Sequence, residues 1–155
     1  MTWTLAQPQH ASCECGACRF EVAAVPAARF VCHCRLCQAF TGKAFSDVTI
    51  LRASGVEVIG AENIAFRKYR PPPNISRGLC RHCGKPAIEF GGFGPVKIAF
   101  IPSSNFSRKD LLPPVVMHIF YHRRTSDALD DLPRYSGYLR SNLAVARLVV
   151  ALFKS

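Results

Sequence analysis

The chain has 155 residues, 20 Lys and Arg against 10 Asp and Glu, a formal net charge of +10, and 49% hydrophobic with 19% charged residues. That composition excludes a disordered chain, and a chain of this size buries roughly 68–70% of its unfolded surface, enough for one core without covalent staples. The longest nearly apolar stretch, residues 143–153, is broken by Arg147 and falls well short of the ~20 residues of a membrane span.

The N-terminal run Met1-Thr2-Trp3-Thr4-Leu5-Ala6-Gln7-Pro8 has neither a basic region nor an apolar stretch of the secretory kind. A cytoplasmic location is therefore expected, where grouped cysteines bind metal or do redox chemistry more often than they form disulfides. Short runs of period-two alternation then predict strands at 19–22, 44–50, 56–59, 64–69, 87–90, 96–101 and 115–121. In the sixth run Val96, Ile98 and Phe100 share a face; in the seventh Val115, Met117, Ile119 and Tyr121 do, and His118 and His122 share the opposite parity and could line a cleft. Arg70-Pro71-Pro72-Pro73-Asn74, Gly91-Gly92-Phe93-Gly94-Pro95 and Leu112-Pro113-Pro114 read as loops. Near the end Ser141 is a candidate cap for a helix whose apolar side carries Leu143, Ala146, Val150 and Phe153, expected to dock on its own sheet or on a second copy of the chain as a homodimer.

All eight cysteines fall between Cys13 and Cys83. Cys13-x-Cys15-x-x-Cys18 is echoed by Cys32-x-Cys34-x-x-Cys37, and Cys80-x-x-Cys83 stands apart, followed by Gly84. A structural zinc site is closed by four ligands, whereas a catalytic one keeps three and an open position. The spacing admits two divisions: two sets of four, or Cys13, Cys15, Cys80 and Cys83 as one set, Cys32, Cys34 and Cys37 as another, and Cys18 left over. Gly16 and Gly84 suit knuckles whose amides turn toward sulfur. Cys18 then begins a strand as a small buried apolar residue, and His33 and His82 are bystanders inside the knuckles.

Ser12-Cys13-Glu14-Cys15-Gly16-Ala17-Cys18-Arg19-Phe20, Cys32-His33-Cys34-Arg35-Leu36-Cys37-Gln38 with Thr41-Gly42, and Cys80-Arg81-His82-Cys83-Gly84 resemble, in order and spacing, the glutathione-dependent formaldehyde-activating family, which includes centromere protein V. The likeness extends to Met117-His118-Ile119 and Asp131-Leu132-Pro133. It implies a mainly β, zinc-bearing β-tent, with short helical turns at the knuckles and a C-terminal helix. Residues 1–135 would form the zinc-binding domain and 136–155 its helical extension. By similarity Cys13, Cys15, Cys80 and Cys83 hold a structural zinc, and Cys32, Cys34 and Cys37 hold a catalytic one.

The activity implied is that of a carbon–sulfur lyase of the S-(hydroxymethyl)glutathione synthase type, with glutathione or another small thiol and an aldehyde such as formaldehyde as substrates. A thiol entering the open position would lose its proton and become nucleophilic at neutral pH. Seven thiolates and two Zn²⁺ bring the charge to about +7, still suited to an anionic thiol, with Arg35 beside the open site as a candidate clamp. The competing expectation is a non-catalytic zinc module for nucleic acid or an acidic protein partner. Nucleic acid is disfavoured because the basic residues are dispersed, with no run longer than two. Methionine sulfoxide reduction would need a cysteine late in the chain, and none follows Cys83.

Overall fold

A computed structural model of the chain describes residues 4–26, 28–68, 75–93 and 95–154, with the side chains of residues 4–8 and 93 outside the description. The described residues form ten strands: β1 (Thr4–Ser12), β2 (Arg19–Ala24), β3 (Ala28–Cys32), β4 (Ser46–Arg52), β5 (Val56–Ile59), β6 (Ile64–Lys68), β7 (Ser76–Cys80), β8 (Pro86–Phe93), β9 (Val96–Pro102) and β10 (Val115–Ile119). A short helix α1 (Arg35–Thr41) follows β3, and α2 (Tyr138–Lys154) ends the described chain. The protein is thus mainly β with a C-terminal helix, as expected. Among the described residues no helix is long and apolar enough to cross a membrane.

The strands form a small sheet of order β1-β2-β5 and a large one of order β10-β3-β4-β9-β8-β7-β6. Among the described strands only β10 and β3 pair in parallel; the other pairings in both sheets are antiparallel. Side-chain alternation on the central strands gives the large sheet two buried faces. Leu51 of β4 and Ala99 and Ile101 of β9 join Phe20 and Val22 of β2 in one core, which also holds Cys13, Cys18 and Cys80. Their neighbours Ile50, Ile98 and Phe100 point the other way, into a second core with Met117 and Ile119 of β10 and Ala144 and Leu152 of α2, which holds Cys32, Cys34 and Cys37. The two groups of cysteines therefore belong to opposite faces of one sheet.

Several expectations are corrected. The alternating run at 115–121 ends as a strand at Ile119, because Phe120 takes a left-handed conformation (φ 51°) and Tyr121 begins a 3-10 turn. His118 and His122 are consequently not partners on one strand face. Gly91, Gly92 and Phe93 belong to β8 rather than to a loop. Gly92 there has φ 111°, and a Cβ would lie 1.9 Å from the carbonyl oxygen of Val96, so the tight turn into β9 demands glycine. Arg70-Pro71-Pro72-Pro73-Asn74 lies outside the described residues, as does Tyr69 at the end of the run ending in β6.

The C-terminal helix docks on its own sheet through a face rotated from the one expected: Phe153 packs on the second core as expected, and Ala146 and Val150 border the space between helix and sheet. It starts at Tyr138, not after Ser141, and buries Ser141, Ala144 and Leu152 while Leu143, Ala146 and Val150 stay exposed. Ser141 is no cap: its Oγ accepts from the Phe120 amide at 2.8 Å and donates to the Tyr135 carbonyl at 3.3 Å, which makes a hydroxyl tolerable in the core.

Candidate metal centres and an apolar cleft

Cys13 and Cys15 sit at the turn after β1, Cys80 ends β7, and Cys83 lies in the turn that follows it. The four sulfurs lie within 4.8 Å of one another. Gly16 (φ 81°) and Gly84 (φ 72°) supply the left-handed residue each knuckle requires, and a Cβ at either would touch nothing, so conformation rather than space selects glycine. The turned amides reach sulfur: His82 and Cys83 donate to Cys80 Sγ at 3.3 and 3.5 Å, and Cys18 donates to Cys13 Sγ at 3.4 Å. Burial opposes ionisation of Cys80, yet these amide donors leave its thiol below the ordinary value. Cys13–Cys15 and Cys15–Cys80 sulfurs are each 3.6 Å apart. Tetrahedral bonds of about 2.3 Å to zinc would set sulfurs roughly 3.8 Å apart, so this donor set fits such an ion.

The second group is built differently. Cys32 ends β3, Cys34 caps α1 by accepting from the Cys37 amide at 3.2 Å, and Cys37 lies in the first turn of that helix. Their three sulfurs also lie within 4.8 Å of one another, and all three residues are buried. Hydrogen bonds from Cys32 and then Cys37 push the Cys34 thiol down to about 3, while Cys34 pushes the Cys32 thiol up, and Cys32 and then Cys34 push that of Cys37 up. Three sulfurs gathered this closely form a soft donor set suited to zinc.

Cys18 stands outside both groups. It is fully buried in the first core, its Sγ donates to the Asn63 carbonyl at 3.4 Å, and burial raises its thiol well above the ordinary value. His82 is turned to Asn63 Oδ1 at 3.0 Å, outside the group of four sulfurs. His33 points away from its neighbours Cys32 and Cys34: its Nε2 meets His118 Nδ1 at 2.9 Å, and His118 Nε2 meets the Asp130 carboxylate at 2.9 Å. Burial, then His118, lowers the His33 ring to about 4, so it is neutral at physiological pH. His118 thus serves a buried chain between β3 and β10, and neither it nor His122 lines the cleft described next.

That cleft, about 690 Å³, opens over Cys32, Cys34 and Cys37 between the large sheet and α2. Its walls include Phe30, Val48, Ile98 and Phe100 from strands and Val145 and Val149 from α2. At one end lie Arg77 and Glu89, cross-strand partners on β7 and β8 whose Nε and Oε1 are 2.9 Å apart. Both side chains are more than nine-tenths buried, and burial pushes the Glu89 carboxyl up to about 7 against the pull of Arg77. Arg35, the clamp candidate, is exposed at the start of α1 and does not line this cleft. A larger groove of about 1130 Å³ on the other side of the molecule is lined by charged and polar residues such as Glu14, Arg19, Arg29 and Lys109, and of the cysteines reaches only Cys13.

Sequence reading missed Arg77, Glu89 and the cleft itself. Strand β7 hides behind Gly78 and a buried arginine, and the most deeply buried residues of α2, Ser141, Ala144 and Leu152, lie beside the apolar side that periodicity picks out. The one available signal was a pair of opposite charges, one on each side of the Cys80-x-x-Cys83 turn.

Residues 8–123 match the family model of the glutathione-dependent formaldehyde-activating enzyme. No curated protein matches the chain. Among solved structures, the crystal structure of a Rhodobacter sphaeroides protein from a structural genomics programme superposes with a TM-score of 0.52 at 19% identity, over 82% of this chain and 99% of that one. At that identity the likeness speaks for the fold alone.

Proposed function

Because the chain belongs to the glutathione-dependent formaldehyde-activating family, we propose that it is a zinc-dependent carbon–sulfur lyase of the S-(hydroxymethyl)glutathione synthase type. It joins a thiol to an aldehyde or reverses that step. In this reading Cys13, Cys15, Cys80 and Cys83 hold a structural zinc, and Cys32, Cys34 and Cys37 hold a catalytic one. When bound there, zinc supplies a coordination position open to exchange and favours the thiolate form of an incoming thiol.

The observation that carries the reading is the three-sulfur group within 4.8 Å, with all three cysteines lining a cleft large enough for a small molecule. The chain's own residues do three things. The cysteines present a soft, three-donor face at the foot of the cleft. The end of β3 and the first turn of α1 carry that face, and the Cys34 cap fixes Cys37 relative to Cys34. The apolar walls exclude water, which would otherwise compete for the carbonyl carbon. In the addition, the sulfur–carbon bond forms as the carbonyl π bond breaks, and the proton given up by the thiol ends on the former carbonyl oxygen.

Native mass spectrometry of the purified protein, with and without a small thiol, tests this. Two zinc ions per chain are expected, one exchanging when thiol is added, and Cys34→Ser should retain only one. Two ions equally inert to thiol, or an unchanged metal count in Cys34→Ser, would overturn the open-site reading. Accelerated formation of the formaldehyde adduct, followed by carbon NMR at chemical-exchange equilibrium, checks the reaction itself.

A further inference from the structure

We propose that the thiol taken up by the three-cysteine site is an uncharged molecule with an apolar body, rather than a charged peptide such as glutathione. The proposal rests on the reading above that this site takes a thiol. A sulfur held against Cys32, Cys34 and Cys37 must send its substituent into the cleft that those residues line, and the chemistry of that cleft selects the substituent.

Phe30, Val48, Val96, Ile98, Phe100 and Phe153 surround the cleft. Glutathione carries a carboxylate at each end and an ammonium at one, and each charge moved into such surroundings loses its hydration unless a partner meets it. Among the described residues that line the cleft, Arg77 is the one buried cation, and it faces Glu89 at 2.9 Å. A carboxylate brought to Arg77 would therefore come beside a second carboxyl group. The other cation on the lining is Lys154, exposed at the end of α2, and a single exposed ammonium does not match two carboxylates and an amine. Asn142 and Tyr138 add neutral polar groups on the α2 side. An aliphatic or aryl thiol needs none of these partners. It removes apolar surface from water along its whole length, and its volume suits a cleft within the ~300–1,000 Å³ range of small-molecule sites.

The chain's overall charge does not contradict this. The formal +10 is summed over the whole chain, whereas selection occurs where α2 closes over the sheet.

Calorimetric titration of the zinc-loaded protein with ethanethiol, butanethiol, hexanethiol and glutathione decides the matter. Affinity should rise about fourfold for each added methylene that is fully buried, and hexanethiol should bind at least tenfold more tightly than glutathione. Affinity independent of chain length, or glutathione binding as tightly as hexanethiol, would overturn the proposal. So would a stable dimer in sedimentation whose chain-length dependence is absent, because a second copy would then be what covers the cleft. Val149→Asn should lessen the gain per methylene with the metal content unchanged. Ala146→Lys, at an exposed position on the cleft side of α2 where folding is not at risk, should lessen it in the same way, and an unaltered gain in both variants would count against the cleft.

Failure of the enzyme reading is separately visible. Chain-length-dependent binding without acceleration of adduct formation would leave the apolar cleft standing and remove the lyase. Accelerated turnover of glutathione with flat alkanethiol binding would do the reverse.

Discussion

The two cysteine groups solve the same problem, gathering sulfur, with opposite means. The group of four is assembled from two turns joined across 65 residues of chain, and its members range from buried Cys13 to exposed Cys15. Its order comes from backbone amides aimed at sulfur and from left-handed glycines. The group of three comes from one short stretch, a strand end and a helix turn, and is buried throughout, yet it faces a cleft. A set that ties distant strands together is suited to holding the fold, whereas a local set pinned on rigid elements is suited to meeting a ligand.

Cutting the tie between the sheets gives the largest expected effect. Cys80→Ser should release one metal ion and lower the melting temperature by about 10 °C or more, since a structural zinc contributes its binding energy to folding. Cys34→Ser should also release one ion but shift melting by less than about 4 °C, because serine is itself a good helix cap and replaces the donor contact to Cys37. Equal thermal losses in calorimetry of the two variants would erase the proposed division of labour.

The buried ion pair at the end of the cleft comes next. Arg77→Met leaves Glu89 without its cation and should cost about 3–5 kcal/mol in urea unfolding at pH 8, whereas Arg77→Met combined with Glu89→Leu should recover most of that loss. A single variant as stable as the wild type would show that the pair is not what holds β7 to β8 at this point.

The histidines beside the two groups give the smaller effects. His33 is lowered to about 4 in the folded protein and takes an ordinary value near 6.5 when unfolded. Between these values the unfolded chain binds the extra proton, so stability rises with pH across that window and is lost as pH falls through it. His33→Gln should therefore flatten the acid side of the stability profile by about 1–2 kcal/mol at pH 5, read as the difference from wild type so that acid effects on the thiolates cancel. His82→Gln, at an exposed site in the other knuckle, should change stability by less than about 0.5 kcal/mol at pH 7.

Alternation made most strands legible in the sequence, including β4 and β9, which bury both faces, but not every strand. Val56–Ile59 carries its alternation plainly and is found where expected. Ala28–Cys32 lies between β10 and β4 in the large sheet, reads as a nearly continuous apolar run, and escapes a period-two search. Phe120 shows the converse: its hydrophobic parity prolongs a strand on paper, but the chain turns at that residue to bring Tyr121 beneath His33 and His118.

The sequence by itself determined the mainly β character, the family, and the knuckles, because a Cys-x-x-Cys turn or a glycine-turned amide is a local device whose geometry is set within a few residues. Only the tertiary structure decided where those devices meet. Cys13 reaches Cys80, and Cys18 is left in the core, because β2 of the small sheet packs against the large one. The three remaining cysteines face an apolar cleft rather than a charged one because α2 folds back across the opposite face. Net charge is summed over the whole chain, but the medium around a reacting sulfur is set by the few side chains that packing brings within reach.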